Sequence, residues 1–548
     1  MNYGQRVQKN QKNEIWYEYC NFLGLSIDEY MRIQYRLFEE QISAWLKSGI
    51  AKEIIPGSFT QNMTVDEFRK KCPLTDYYNY ADILLAKRSD MLPAEPVIWL
   101  QTTWEGGKHQ IKLAPYTAAM LEVFKNNLMS VSTISSADSN KRTRLKNGDR
   151  VLFGLAPLPY VTGLFPHVFK EEIEFNFLPP VSEALKMSFG ERNRLGFKMG
   201  MQKGIDVFFG MSSVIHYVTV NFSSMLKSGS TGSGLLKKIT KMSPKMLFRF
   251  IHAKYISQKE SRDIKPRDLF SLKSLVCAGT DTASYKSFLA DEWGVKPLEI
   301  FAGTEPSIIG TETPARNGMV FFPDTCFYEF IPEAEVYKNI DDKSYEPRTV
   351  LLNELCEGGI YELVISVLKG GAFMRYRVGD MFRCVGSSGD PDTSLPRLVY
   401  IDRVPDVIDI AGFTRITEAS ISDVIRLSGV AVSDWTAKKE YDSQKRPFMH
   451  LYAEIDESRL AAIAVSAGLL KEHLETYFKY FDTDYHDLKK MLGIEPLQIT
   501  IIKCGTFEKY TEYRRKPIRR INPASLDISD LLEFEKLGSN DTGRKGGG

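Results

Sequence analysis

Paired cysteines are missing from this 548-residue chain: the seven present (Cys20, Cys72, Cys277, Cys326, Cys356, Cys384 and Cys504) are isolated, with no Cys-x-x-Cys and no histidine spaced to complete a zinc site. A disulfide framework and a structural zinc are excluded on that count, and reduced thiols are expected. A long apolar run is also missing. The most apolar stretch, Val207 to Val220, is broken by Gly210, Ser212, Ser213 and His216 and falls short of the ~20 residues that span a bilayer. It reads as a buried core segment, and no membrane partner is expected. The first dozen residues lack the apolar stretch of a signal peptide, which points to the cytoplasm. Charge of one sign is absent as well: 71 Lys and Arg against 69 Asp and Glu leave a net charge of +2, so no global field selects nucleic acid. What is there is an ordinary globular composition, 43% apolar and 26% charged. The length exceeds the roughly 250–300 residues at which one core stops growing, so more than one domain is expected.

Helical spacing of Tyr30, Ile33, Leu37, Ile42 and Leu46 marks an architectural helical lead-in. Short apolar runs then alternate with helical stretches at 96–101, 151–155, 274–277, 298–301, 319–322, 361–367 and 381–385, the pattern of an α/β or mixed α+β core. After Arg403 the pattern restarts: a helix over 418–427, a strand over 448–454, a long helix over 459–480 and a strand over 497–503. Pro405 and Gly412 suit a hinge between the two parts. The expected division is a large domain over 1–404, a small α/β domain over 405–535 and a disordered tail over 536–548. A basic stretch from Lys237 to Arg267 reads as a solvated helix face.

Three constellations carry chemistry. Thr102 and Thr103, followed by Gly106, Gly107 and Lys108, come straight after an apolar run. Glycines admit backbone N–H groups to a phosphate, hydroxyls donate to it, and an ammonium offsets its charge. A hairpin turn at Gly106-Gly107 is the other reading of the same residues. Phe301-Ala302-Gly303-Thr304-Glu305 puts a carboxylate at the end of a strand, where it can hold Mg²⁺ against a nucleotide; alternatively Thr304 caps a helix and Glu305 favours its first turn. Tyr376-Arg377-Val378-Gly379-Asp380 lies between two strand-like runs, so Asp380 either accepts both hydroxyls of a ribose or sits in an ordinary Gly-Asp turn. Arg403, ahead of the hinge, is either a sugar or phosphate contact or a surface arginine.

In their order these stretches resemble the adenylate-forming superfamily, and within it the auxin-responsive acyl acid amido synthetases, in their bacterial form. Further matches extend over nearly the whole chain: Pro73-Leu74-Thr75-Asp76-Tyr77 ahead of the loop, Lys112, Pro115 and Thr117 after it, then Ala278-Gly279, Phe327-Tyr328-Glu329-Phe330-Ile331-Pro332, Tyr361-Glu362-Leu363-Val364, and Gly505-Thr506-Phe507 with Tyr510. The resemblance implies ATP and Mg²⁺ as cofactors. Thr102 and Thr103, with Gly106 and Gly107, would contact phosphates, Gly279 and Phe301 would border adenine, and Thr304 would stand beside them. Asp380 would grip the ribose, Arg403 would sense nucleotide at the hinge, and Glu305, the expected metal ligand, would share the catalytic role with Lys108. The implied activity is ATP-dependent adenylation of a carboxylic acid followed by transfer of the acyl group to an amine, in particular that of an amino acid. An apolar acyl pocket is expected within 150–220, around Tyr160, Phe165, His167 and His216, with core packing as the expected role of each histidine.

The chain departs from the family's pattern at the phosphate loop, where Thr103 replaces a glycine and Trp104-Glu105 replace hydroxyl residues, and late in the chain, where Lys516-Pro517-Ile518-Arg519 only loosely echoes a Lys-x-Pro-Arg segment. Two alternatives therefore stand beside the amido synthetase. One is an acyl-CoA or acyl-protein synthetase with the same first half-reaction, although the Pro-x-x-x-x-Gly-Lys of CoA ligases is absent. The other is a nucleotide-binding homologue without catalysis.

Overall fold

The computed structural model describes residues 1–57, 62–103, 111–227, 241–412, 414–455, 468–476, 493 and 495–537. By internal contacts the chain forms two compact units, one of residues 1–103 and 111–401, the other from Asp402 onward. Among the described residues no helix is long and apolar enough to cross a membrane, and none of the seven cysteines is in a disulfide.

The first unit opens with β1 (Ile98–Thr103) and β2 (Ile111–Tyr116), an antiparallel pair. Its core is a mixed sheet. Five strands are mutually parallel: β3 (Arg150–Gly154), β4 (Asn176–Leu178), β5 (Val207–Met211), β6 (Ser274–Ala278) and β7 (Leu298–Gly303). Antiparallel strands continue the sheet: β8 (Ser307–Glu312), β9 (Met319–Phe321), β10 (Cys326–Pro332), β11 (Val350–Leu351), β12 (Ile360–Val367), β13 (Tyr376–Gly386) and β14 (Arg397–Arg403). Their spatial order is β11-β10-β12-β13-β14-β9-β8-β7-β6-β5-β3-β4. β7 is the joint, parallel to β6 on one side and antiparallel to β8 on the other. A mixed α/β architecture is thus observed as expected, and the central parallel strands β5 and β6 are almost wholly buried, with helices packed against them.

The N-terminal helix Ile27–Trp45 begins at a capping box in which the Ser26 hydroxyl accepts from the Glu29 N–H and the Glu29 carboxylate accepts from the Ser26 N–H. Its buried stripe of Tyr30, Leu37, Phe38, Ile42 and Trp45 lies on the sheet, with the Phe38 ring stacked on Phe327 at 4.0 Å. Two polar side chains on that stripe read backbone. Gln34 donates to the Cys326 carbonyl (2.7 Å), and Gln41 accepts from the Gly370 N–H (2.7 Å), while Trp45 donates to the Gly371 carbonyl (2.7 Å). The helix therefore ties down the connection that leads into β13.

In the second unit β15 (Val407–Ile410) and β16 (Thr414–Thr417) pair antiparallel, and the helix Glu418–Ser428 follows. β17 (Val432–Tyr441), β18 (Pro447–Ile455) and β19 (Leu497–Ile502) form a three-stranded sheet. It is covered by the helices Thr506–Arg514 and Ser525–Leu537 around Tyr452, Phe507, Tyr510 and Leu531. Of the expected long helix over 459–480, only the helical segment 468–476 lies within the described residues, and the tail from 538 lies outside them.

Candidate active site

The site in the first unit is built where β7 changes neighbours, the place at which an open α/β sheet offers a crevice beyond its strand ends. β7 turns directly into β8 through Thr304-Glu305-Pro306. The helix-cap reading of Thr304 is therefore corrected: no helix follows, because the chain reverses into an antiparallel partner. The Tyr116 hydroxyl donates to the Thr304 carbonyl at 2.7 Å and fixes that turn from β2. Glu305 is buried at 8% exposure. Its Oε1 accepts from the Tyr376 hydroxyl at 2.9 Å and lies 3.7 Å from the Lys112 ammonium, which itself donates to the Tyr376 hydroxyl at 3.3 Å. Both contacts go to Oε1, so among the described residues Oε2 has no polar partner and stays available to a ligand.

Gly379-Asp380 is not a turn between two strands. It lies inside one continuous strand, β13, and the reason is a bulge. Glu362 of β12 faces Met381 and Val364 faces Arg377, so the three residues Val378, Gly379 and Asp380 stand opposite Leu363 alone. Gly379 supplies the positive φ of 78° that this requires. A bulge re-aims side chains, and here it buries Asp380 to 4% exposure with its Oδ1 accepting from the Tyr400 hydroxyl at 3.3 Å. The Tyr400 ring stacks on Phe301, centroids 5.9 Å apart and planes 22° from parallel, and Phe382 closes the aromatic group edge-on. One strand thus delivers Tyr376 to Glu305 and Asp380 to the Phe301 aromatics.

The start of β13 is clamped. Thr75 lies alongside it, its N–H donating to the Arg375 carbonyl (3.0 Å) and its carbonyl accepting from the Arg377 N–H (2.8 Å). Beneath, the Arg375 guanidinium makes two bonds of 3.0 and 3.1 Å to the buried Glu329 carboxylate, which also accepts from Arg69 (2.9 Å) and Thr349 (2.6 Å). Burial pushes the Glu329 carboxyl up, but Arg375, with Arg69 and Thr349, more than reverses it and holds the group below its ordinary range. Arg377, though inside the motif, pairs with Glu362 at 2.6 Å on the neighbouring strand.

Gly279, the residue after β6, has a φ of 128°, and a β-carbon there would lie 3.2 Å from the Ser212 hydroxyl oxygen. Thr102 and Thr103 close β1, facing Lys112 and Ile111 across the hairpin. Gly106, Gly107 and Lys108, like Trp104 and Glu105, lie outside the described residues. Arg403 ends β14 at the start of the second unit, its N–H donating to the Asp402 carboxylate at 2.8 Å. His216 stacks on Tyr285 with centroids 4.1 Å apart, a packing role. Sequence reasoning did not assign Lys112, Tyr376 or Tyr400 to the site. Lys112 and Tyr376 were visible as motif members, but their meeting depends on two strands far apart in the chain; Tyr400 reads locally as one more apolar strand residue.

Residues 319–403, which hold the bulge and Tyr400, match the model of the GH3 family central domain. That match bears out the resemblance drawn from the motifs, since GH3 proteins named among its relatives are amido synthetases. An indole-3-acetic acid-amido synthetase, GH3.8 of Oryza sativa subsp. indica, is 28% identical over 36% of this chain and 33% of its own. A jasmonoyl-L-amino acid synthetase, JAR4 of Nicotiana attenuata, is 25% identical over 44% of this chain and 41% of its own. The aligned part thus spans about a third to two-fifths of these curated relatives. At the level of fold, this chain superposes on the AtGH3.15 acyl acid amido synthetase in complex with 2,4-DB (TM-score 0.50, 16% identity, 96% of each chain). It also superposes on a 2-hydroxyisobutyryl-CoA ligase in complex with 2-HIB-AMP and CoA (TM-score 0.53, 14% identity, 88% of this chain and 87% of the other).

Proposed function

We propose that this chain is an ATP-dependent acyl acid amido synthetase that adenylates a carboxylic acid and transfers the acyl group to an amine, in particular that of an amino acid. The observation that carries the reading is the double delivery by β13, which joins Tyr376 to Glu305 and Asp380 to the Tyr400–Phe301 pair through one bulge.

The acid carboxylate attacks the α-phosphorus of ATP, giving an acyl adenylate and pyrophosphate. The amine then attacks the acyl carbonyl and releases AMP. The protein's part in the first step is alignment and charge neutralisation. Asp380 accepts from the ribose hydroxyls, a charge-assisted contact strengthened by its burial. Phe301 and the side-chain-free backbone at Gly279 border the adenine. Thr102, Thr103 and Thr304 are assigned to the phosphate side, and Gly106, Gly107 and Lys108 are assigned to the phosphates on the sequence motif alone. Glu305 fits a Mg²⁺ ligand because its Oε2 is open while Lys112 and Tyr376 hold Oε1, and Mg²⁺ takes one or two carboxylates plus phosphate oxygens. Bound there, the ion would neutralise charge on the phosphates. The domain division belongs to the same proposal: a large unit for nucleotide and acid, a small one after Val404, and a hinge at 403–412 that exchanges the two half-reactions.

The test is pyrophosphate release from ATP and Mg²⁺ across a panel of acids, with and without amino acids, CoA or hydroxylamine. Acid-dependent release with an amide product is expected. A thioester product would assign the chain to the acyl-CoA alternative, and ATP binding without release across the panel would make it a non-catalytic nucleotide binder.

A further inference from the structure

The basic stretch that reads in the sequence as a solvated helix face has an apolar row at its centre. Ser243 caps the helix Pro244–Lys259, its hydroxyl accepting from the Met246 N–H, and Pro244 opens the first turn. Met246, Phe250 and Ala253 seat one side of this helix in the core cluster that holds Phe270 and Trp293. On the opposite side Phe248, Ile251 and Tyr255 are 71%, 60% and 62% exposed. Spacings of three and four residues put the three side chains in one row, about 10 Å long along the axis. A helix that is apolar on both sides is ordinarily covered on both, and here the outer side faces solvent.

The charge around that row is of one sign. From Val207 to Lys259 the sequence holds eight Lys or Arg and no Asp or Glu, in a chain that balances 71 basic residues against 69 acidic ones. By helical spacing Lys245 and Lys259 flank the row on one side and Lys254 on the other; all three are exposed and outside any ion pair among the described residues. Past the helix the pattern changes: Arg262 pairs with Asp268 at 2.7 Å and Lys265 with Glu292 at 2.9 Å. Aromatic and aliphatic side chains bordered by lysines that no carboxylate neutralises match an anionic lipid surface. A second copy seated face to face would set lysine against lysine. Nucleic acid would stack on the rings but leave Ile251 unmatched between them. A protein groove closes around its helix, whereas this helix has its other side in the core and presents a shallow ridge that a flat surface accepts. We propose that the outer face of Pro244–Lys259 docks on an anionic membrane surface, with Phe248, Ile251 and Tyr255 entering at headgroup level and the lysines against lipid phosphates. The lack of an apolar span excludes a crossing of the membrane and does not reach a helix that lies in the interface plane.

The experiment is cosedimentation of the full chain with vesicles of phosphatidylcholine alone and of phosphatidylcholine mixed equally with phosphatidylglycerol, without ATP or Mg²⁺, so that it does not depend on the adenylation reading. The mixed vesicles are expected to bind, and the neutral ones about tenfold more weakly or less. The double variant Phe248→Gln, Ile251→Gln should weaken binding about tenfold or more through lost apolar contact. Lys254→Glu with Lys259→Glu should weaken it by a similar factor, since each lysine near such a surface contributes about fivefold, and keeps the test valid if the first variant does not fold. Tyr17→Gln, which removes a ring 71% exposed elsewhere in the first unit, should change nothing. No binding to the mixed vesicles, equal binding to neutral ones, unchanged affinity in either folded double variant, or loss in Tyr17→Gln would each overturn the proposal. So would a soluble polyglutamate peptide or a single-stranded oligonucleotide bound as tightly as the vesicles, which would reassign the face to an acidic protein or to nucleic acid.

Discussion

Asp380→Asn isolates the ribose contact. The substitution keeps the size of the side chain and one acceptor oxygen but removes the charge. A hydrogen bond to an ionised group contributes about 1.5–3 kcal/mol, and the neutral amide forfeits about one such bond, so ATP affinity should fall about 10- to 150-fold. Little solvent screening reduces this, because Asp380 is 4% exposed. The bond from the Tyr400 hydroxyl at 3.3 Å is long and can be accepted by the Asn oxygen, and thermal melting checks that the fold is kept. The assay is calorimetric titration with ATP and with 2′-deoxy-ATP. The native chain should favour ATP, and the variant should lose most of that preference. An unchanged Kd, or a general loss that leaves the ratio of the two nucleotides as it was, would refute the assignment of Asp380 to the ribose.

Tyr376→Phe removes the hydroxyl shared by Lys112 and Glu305 while keeping the ring contacts with Phe373 and Tyr80; pyrophosphate release should slow tenfold or more with Tm nearly constant, as followed by a coupled assay and thermal melting. Glu329→Gln leaves Arg375 and Arg69 facing a neutral group and should cost about 3–5 kcal/mol, read from the urea midpoint. Glu299 is pushed up to about 7 from 4.5, by burial first and by neighbouring Glu312, against the pull of Lys286. The folded state then binds a proton that the unfolded state releases, so stability should fall by about 3 kcal/mol as pH rises from roughly 4.5 to 7 and level off above. Urea midpoints across pH 4.5–8 should show that slope, and Glu299→Gln should flatten it.

The strands that alternate or stand between clear turn signals were readable in advance, among them β3, β6, β7 and β12. β5 was not, because Val207–Met211 runs without polar punctuation into the apolar helix Ser212–Val220. A doubly buried parallel strand has no alternation to set it apart from a buried helix. The bulge was missed for a related reason: Gly-Asp followed by an apolar run looks the same whether the chain reverses or bends outward within a strand. The separation of Arg377, which turns to Glu362, from its motif neighbours Tyr376 and Asp380 depends on the pleat and on the register with β12, neither of which is local information. Nor does anything around Glu299 mark it in the sequence; its burial follows from β7 being central.

The bulge also makes the site sensitive to chain length. Leu363 is matched against three residues instead of one, so Asp380 owes its position to a count. Deleting one residue between Arg377 and Met381 would reverse the facing of every side chain on one side of the gap, because strand side chains alternate in twos. Even an alanine inserted there would be more disruptive than a change of identity at either flank. Length variation in β13 is therefore a sharper probe of this site than composition: a deletion scan should show loss from 378 through the rest of the strand, with tolerance resuming past its end at Gly386.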